Sequence, residues 1–439
     1  MQYLALLRDE LIQRREEGCD VGPFEARIAA LDESAPGAEM DALYDALSAL
    51  EPRPDFPYVE PSTLAAIRRE RPDGPRCLSL PLTGAEFEDR LLGAWLGRCA
   101  GCTLGKPVEG WSRERIRDYL ALAGEYPLQD YFPLVEPIPE GIAFHPSHLE
   151  TMRGRIQYMA RDDDIDYTIL GLHILERFGP DFTTQDVADT WLARLPYGMI
   201  YTAERAAYRN LVDGLVPPQT ATYRNPYREW IGVQIRADGF GYAAAGLPEA
   251  AAELAFRDAA LSHVKNGIYG EMFVAATLAA ALAVDDVRDA IEIGLSEIPA
   301  RSRLAEAIRQ VMAWHEQYDD WEEAWEAVNQ AFGGYHRVHT INNAAVVLLG
   351  LLYGEGDLER SITVAVMGGW DTDCNGATVG SVVGAMTGAR ALPQKWVGPL
   401  NDRLRSYVVG YDNARISDLA RRTGAVARQV REWFQERES

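Results

Sequence analysis

The sequence predicts an all-α fold, a compact multi-helix bundle, and three observations carry that expectation. Apolar residues recur at three- and four-residue spacing through most of the chain beyond residue 82. No alternating apolar and polar run marks a strand, and no βαβ rhythm appears. Hydrophobic residues make up 47% of 439, enough for a sizeable core.

Taken in order, residues 1 to about 50 hold three short amphipathic patterns. Leu4, Leu7 and Leu11 share one helical face; Leu43, Leu47 and Leu50 share another. The segments EPRPDFPYVEP and RPDGP follow. Proline fixes φ and removes backbone donors, so they read as an extended linker or surface wrap. Residues 1–80 are therefore expected to be a helical appendage with its linker, and 81–439 the main domain, starting near Leu82. Within it the spacing predicts helices at Glu86–Ala100, Asp166–Phe178, Pro248–His263, Gly270–Ala283, Ala300–Trp314, Trp321–Phe332, Ile341–Tyr353, Asn375–Thr387 and Ile416–Glu436. Gly110–Leu149, rich in Pro, Tyr, Phe and His, reads as the longest irregular region, of the kind that caps a site or is mobile. No short internal repeat is present.

With 43 basic and 66 acidic residues the formal charge is −23, a field that repels nucleic acid and attracts divalent cations. Five cysteines form an odd, sparse set, which argues for a reducing compartment rather than a disulfide framework. The opening MQYLALLRDELIQRREEG turns acidic too soon for a signal peptide. The longest apolar stretch, Phe273 to Val284, is too short to span a bilayer. A cytoplasmic protein with no membrane partner is expected.

Three segments could carry chemistry. RDDDIDYT places Asp162, Asp163 and Asp164 before an apolar helix. One Asp suffices as an N-cap; three in a row need open water or a cation. MGGWDTDCNGATVG sets Asp371 and Asp373 two residues apart in a glycine-freed turn, able to aim two carboxylates at one Mg²⁺ or Mn²⁺, or to cap the helix that follows. GAWLGRCAGCTLGKPVEGW repeats glycine at 93, 97, 101 and 105, a stripe for a close helix crossing, then leaves the helix to present Glu109. The Cys99-Cys102 pair has no thioredoxin-like surroundings.

Together these segments, with Leu261-Ser262-His263, resemble the ADP-ribosylglycohydrolase family in the same order over roughly Leu82 to Asp412. The resemblance implies an all-α fold, a centre of two divalent cations (Mg²⁺ or Mn²⁺), and hydrolysis of a ribose joined to nitrogen or oxygen. Asp163, Asp164, Asp371 and Asp373 match the family's aspartates, and Glu109 its glutamate near the metals. Asp162 and Cys374 stand where the family has threonine, and the first helix ends Gly101-Cys102-Thr103-Leu104-Gly105 without the usual Asp. A thiol is a poor ligand for a hard cation, so Cys374 is expected beside the metal, and Asp162 adds negative charge to its surroundings.

On that resemblance Asp162, Asp163, Asp164, Asp371 and Asp373 are the expected metal ligands, Glu109 gates or orients the site or acts as the base, and Asp371 is the other candidate base. Arg236, Asp238, His263, Tyr269, Glu271 and Cys374 are expected around the substrate, although Glu271 and His263 also suit helix ends and Tyr269 the core. The substrate would be a ribose-containing small molecule or an ADP-ribosylated partner. Two alternatives stay open: a hydrolase of small N-ribosides or nucleotide-sugar metabolites, and a binding protein that keeps the fold without catalysis.

Overall fold

Two helices poor in side chains set the centre of the molecule. In the computed structural model, which describes residues 3–80 and 83–438, Gly84–Gly105 and Thr372–Thr387 run antiparallel with their backbones in contact. A Cβ on Gly93, Gly97, Gly101 or Gly105 would lie 2.3, 2.0, 1.9 or 2.2 Å from the carbonyl oxygens of Gly384, Gly380, Gly376 and Thr372. Only hydrogen fits, which offsets the cost of glycine in a helix. Because the pair is antiparallel, the end of the first helix at Gly105 meets the start of the second at Thr372. That junction brings the Lys106–Glu109 turn beside Asp371 and Asp373.

Asn266–Ala281 and Thr340–Gly354 are buried along their whole length and pack around this pair. Their sequences are apolar on every face, as central helices require. Among the described residues there are 22 α-helices and no strand, only isolated bridges. None of these helices is long and apolar enough to cross a membrane.

The expected helices form, with shifted ends, and others join them. Gly110–Leu149 is not irregular throughout: Arg113–Ala123 is a helix within it, capped by Ser112, which accepts from Arg115 N–H at 3.3 Å. Its first six residues include five charged ones, so only Ile116, Tyr119 and Leu120 mark the apolar stripe. Thr184–Arg194, Thr202–Val212, Val287–Leu295 and Leu358–Met367 are further helices too short to impose a long period. Pro248–Ala259 stops before Ser262 and His263, which lie in a turn.

Residues 4–47 enclose a small hydrophobic cluster of their own, including Leu7, Leu43, Tyr44 and Leu47. The proline-rich stretch then runs over the bundle: Val59 N–H donates to the Arg301 carbonyl, Tyr269 Oη to that of Pro61, and Leu78 N–H to that of Gly246. Pro81 and Leu82, where the main domain was expected to start, lie outside the described residues.

Candidate functional site

Both acidic motifs sit at helix N-termini, where the dipole favours negative charge. Asp162 caps Asp163–Phe178, its Oδ1 accepting from Asp164 N–H at 3.0 Å. Asp371 occupies the corresponding position of Thr372–Thr387. The turn before it needs left-handed backbone at Gly369 (φ +80°) and Trp370 (φ +63°), and a Cβ on Gly369 would lie 2.7 Å from Arg113 N. Asn343 Oδ1 braces this turn, accepting from Asp371 N–H at 3.3 Å and Asn375 Nδ2 at 2.9 Å. Gly110 N–H donates to the Trp370 carbonyl and Trp370 N–H to that of Trp111, at 2.9 and 3.0 Å. These two bonds tie the loop of Glu109 to the loop of Asp371.

The result is a cavity of about 770 Å³ lined by Glu109, Asp163, Asp164, Asp371, Asp373 and Cys374. Asp162 lies just behind its wall, buried. The Lys106 ammonium stands among the carboxylates, 2.6 Å from Asp162 Oδ2, 2.7 Å from Asp373 Oδ2 and 2.8 Å from Glu109 Oε2. Asp373 Oδ1 is buried without a hydrogen-bond partner. The Cys374 thiol donates to Asp164 Oδ2 at 3.3 Å. Among the described residues two sets of ligand atoms lie within 4.8 Å of one another: Cys102, Asp162, Asp164 and Asp373, and Asp371, Asp373 and Cys374.

Crowding of like charges governs protonation here. Burial and then Asp162 push Asp163 up to about 8. Burial and the neighbouring carboxylates, first Asp162 for Asp164 and Asp373 for Asp371, push those two well up. Burial and Glu109 push Asp373 up to about 6 against the pull of Lys106. Burial opposes ionisation of Asp162 too, but Lys106 outweighs it and holds that carboxyl down at about 2. Burial followed by Asp164 raises the Cys374 thiol far above its ordinary value, so its proton stays.

Five expected substrate residues are elsewhere. Arg236 is buried between Glu204 (2.8 Å), Asp258 and Glu271 (3.5 Å). Asp238 pairs with Arg98 at 2.8 Å and accepts from Tyr242 at 3.1 Å. His263 is buried with Nδ1 2.8 Å from Ser262 Oγ, and burial, then Arg236, keeps it neutral. Tyr269 Oη is spent on the Pro61 carbonyl. None of Arg236, Asp238, His263, Tyr269 and Glu271 lines the cavity. They join the helices behind it, and two contacts link that framework to the site: Arg98, 3.4 Å from Asp164 Oδ1, and Arg236, paired with the cavity-lining Glu204.

Other residues that line the cavity escaped the sequence reading: Lys106, Arg161, Tyr201, Trp230, His336 and Tyr407. Trp230 and His336 stack with centroids 4.1 Å apart and planes at 7°. Lys106 had a signal, as one of three lysines among 43 basic residues. The aromatics come from short irregular segments with no periodicity to reveal them.

Fold and site together define an all-α protein with an acidic pocket at the junction of two helix ends. The sequence model of the ADP-ribosylglycohydrolase family matches residues 83–433, and the chain belongs to that family of glycosidic hydrolases. Among solved structures, 45 chains match. One of them, described as an ADP-ribosylglycohydrolase-related protein complex, is 19% identical with a TM-score of 0.46, over 79% of this chain and 99% of its own. No curated protein matches by sequence.

Proposed function

We propose that this protein is a divalent-cation-dependent hydrolase of a ribosyl N- or O-glycosidic bond. The observation that carries this reading is the gathering of Glu109, Asp163, Asp164, Asp371 and Asp373 around one cavity with a single ammonium. The donor set fits a hard cation: carboxylate oxygens, one of them buried and unpartnered at Asp373 Oδ1. Asp163, Asp164, Asp371 and Asp373 would hold it. Bound there, a divalent cation supplies Lewis-acid polarisation of water and of ribose hydroxyls.

The chain's own groups account for the rest. Glycosidic cleavage passes through an oxocarbenium-like transition state, and a pocket of fixed negative charge favours the positive charge that develops on the sugar. Glu109 is the carboxylate best placed to move a proton. Its side chain is 36% exposed, whereas those of Asp162 and Asp373 are nearly closed off, and it is steadied by Lys106 and by His145 Nε2 at 3.7 Å. The stacked Trp230 and His336 offer a flat surface for a base, and Arg337, which forms no ion pair among the described residues, supplies positive charge at the wall for a phosphate. These features favour a nucleotide-bearing riboside over a bare N-riboside.

Glu109→Gln should keep the stabilisation by Mg²⁺ or Mn²⁺ and lose at least about a hundredfold in turnover, the usual scale for a general base. Release of ADP-ribose from an ADP-ribosylated protein and of ribose from free N-ribosides, assayed side by side, reads both the loss and the substrate class. An unchanged rate on the better substrate would remove Glu109 from the mechanism, and no release from either would leave a binding protein.

A further inference from the structure

We propose that the Lys106 ammonium is a built-in cation that fills one of two cation positions in the acidic pocket, so that this chain has room for one divalent ion. The inference rests on the pocket being a cation site and concerns how many ions it takes.

The two sets of ligand atoms differ in what stands on them. Lys106 Nζ stands on the first, within 2.6 Å of Asp162 and 2.7 Å of Asp373, and reaches Glu109 at 2.8 Å as well. The ammonium donates to Asp373 Oδ2 and Glu109 Oε2 and forms a close ion pair with Asp162 Oδ2, so three carboxylates surround it. A metal ion at that spot would need the same oxygens and would meet a positive charge at bonding distance. The second set, Asp371, Asp373 and Cys374, meets Lys106 only through the shared Asp373. Among the described residues neither Asp371 nor Asp163 forms an ion pair, and Asp373 turns its unpartnered Oδ1 away from the lysine-bound Oδ2.

Lys106 is not a surface side chain caught in passing. It is 8% exposed, on a turn held by Gly105 packed against the Thr372 backbone and by the fixed φ of Pro107. Its nearest partner is the buried Asp162, and the two charges cancel locally. A compact ammonium suits the position of an ion better than the broad planar guanidinium used almost everywhere else in this chain.

The test is ion stoichiometry in the full-length protein, stripped with chelator and equilibrated with Mn²⁺, read by elemental analysis and by electron paramagnetic resonance. The wild type should hold one Mn²⁺ per chain with the spectrum of an isolated ion. Lys106→Ala should hold two with an exchange-coupled spectrum. Should Lys106→Ala misfold, Lys106→Met keeps the volume of the side chain without its charge, leaves Asp162 in place and should also hold two. Two ions in the wild type, or one in the wild type and in the folded variant alike, would overturn the proposal. No ion in any of them would instead sink the cation-site reading on which it rests.

Discussion

Where the first helices meet the bundle, Arg228 is buried against Glu10 (2.7 Å) and Glu17 (2.9 Å), and Arg303 against Glu60 (2.7 Å) and Glu229 (2.8 Å). In the pocket Lys106 pairs with Asp162, Asp373 and Glu109, while among the described residues Asp163 and Asp371 form no ion pair, Asp163 feeling Lys106 and Arg161 only at longer range. The first cluster is closed: burial opposes the ionised carboxyls, yet Arg228 holds Glu17 down at about 2 and Arg303 holds Glu229 lower still. The second is open, and its carboxyls are pushed up instead. Buried charge is tolerated when the chain supplies its partner. Where the chain leaves the partner out, the fold carries a cost that a ligand can remove, and such clusters mark functional sites.

The largest effect that would break this contrast comes from opening the closed cluster. Arg228→Ala removes the buried cation between Glu10 and Glu17, leaves them only the part-exposed Arg14 and Lys265, and should cost about 3 kcal/mol in urea unfolding. A loss under 1 kcal/mol would mean the network is not what holds the first helices. A smaller effect comes from the one misfit there. Burial, then Glu229, raises Glu16 to about 8. The folded state then binds more protons than the unfolded state from about pH 4.5 to 8, so stability is greatest below that window and falls as pH rises through it. Glu16→Gln should flatten the fall and gain a few kcal/mol over wild type at pH 8; parallel profiles of midpoint against pH would refute the assignment. The smallest effect has the opposite sign. Without divalent cations, Asp371→Asn relieves repulsion with Asp373 and should raise stability by about 1 kcal/mol, measured by thermal unfolding in chelator. The same variant should lose most of the rise that saturating Mn²⁺ gives the wild type. Equal destabilisation in both clusters would erase the distinction between them.

Much of the fold was legible because glycine every fourth residue at 93, 97, 101 and 105 states a close crossing outright, and long apolar periods state central helices. The helix at Arg113–Ala123 was hidden by its charged first turn. The acidic motifs were legible because each stands immediately before a helix. Arg236, Asp238 and Glu271 were misplaced for a physical reason. A charged residue in an apolar stretch reads as a site, but Arg98 with Asp238 and Arg236 with Glu271 satisfy each other across 140 and 35 positions. Local sequence does not encode who neutralises whom. Lys106 escaped for the same reason, since its partners Asp162 and Asp373 lie far along the chain.

The glycine seam between Gly84–Gly105 and Thr372–Thr387 has a mechanical consequence. Two helices joined through side chains can absorb an error by changing rotamers; two joined peptide to peptide have no such slack. At about 1.5 Å per residue, Gly93 lies roughly 18 Å from Gly105. An added methyl group there would press on the Gly384 carbonyl and act as a lever on the far end of the seam. The spacing of Glu109 from Asp371 is thus a tolerance held along the whole length of the joint as well as by the backbone bonds at its mouth.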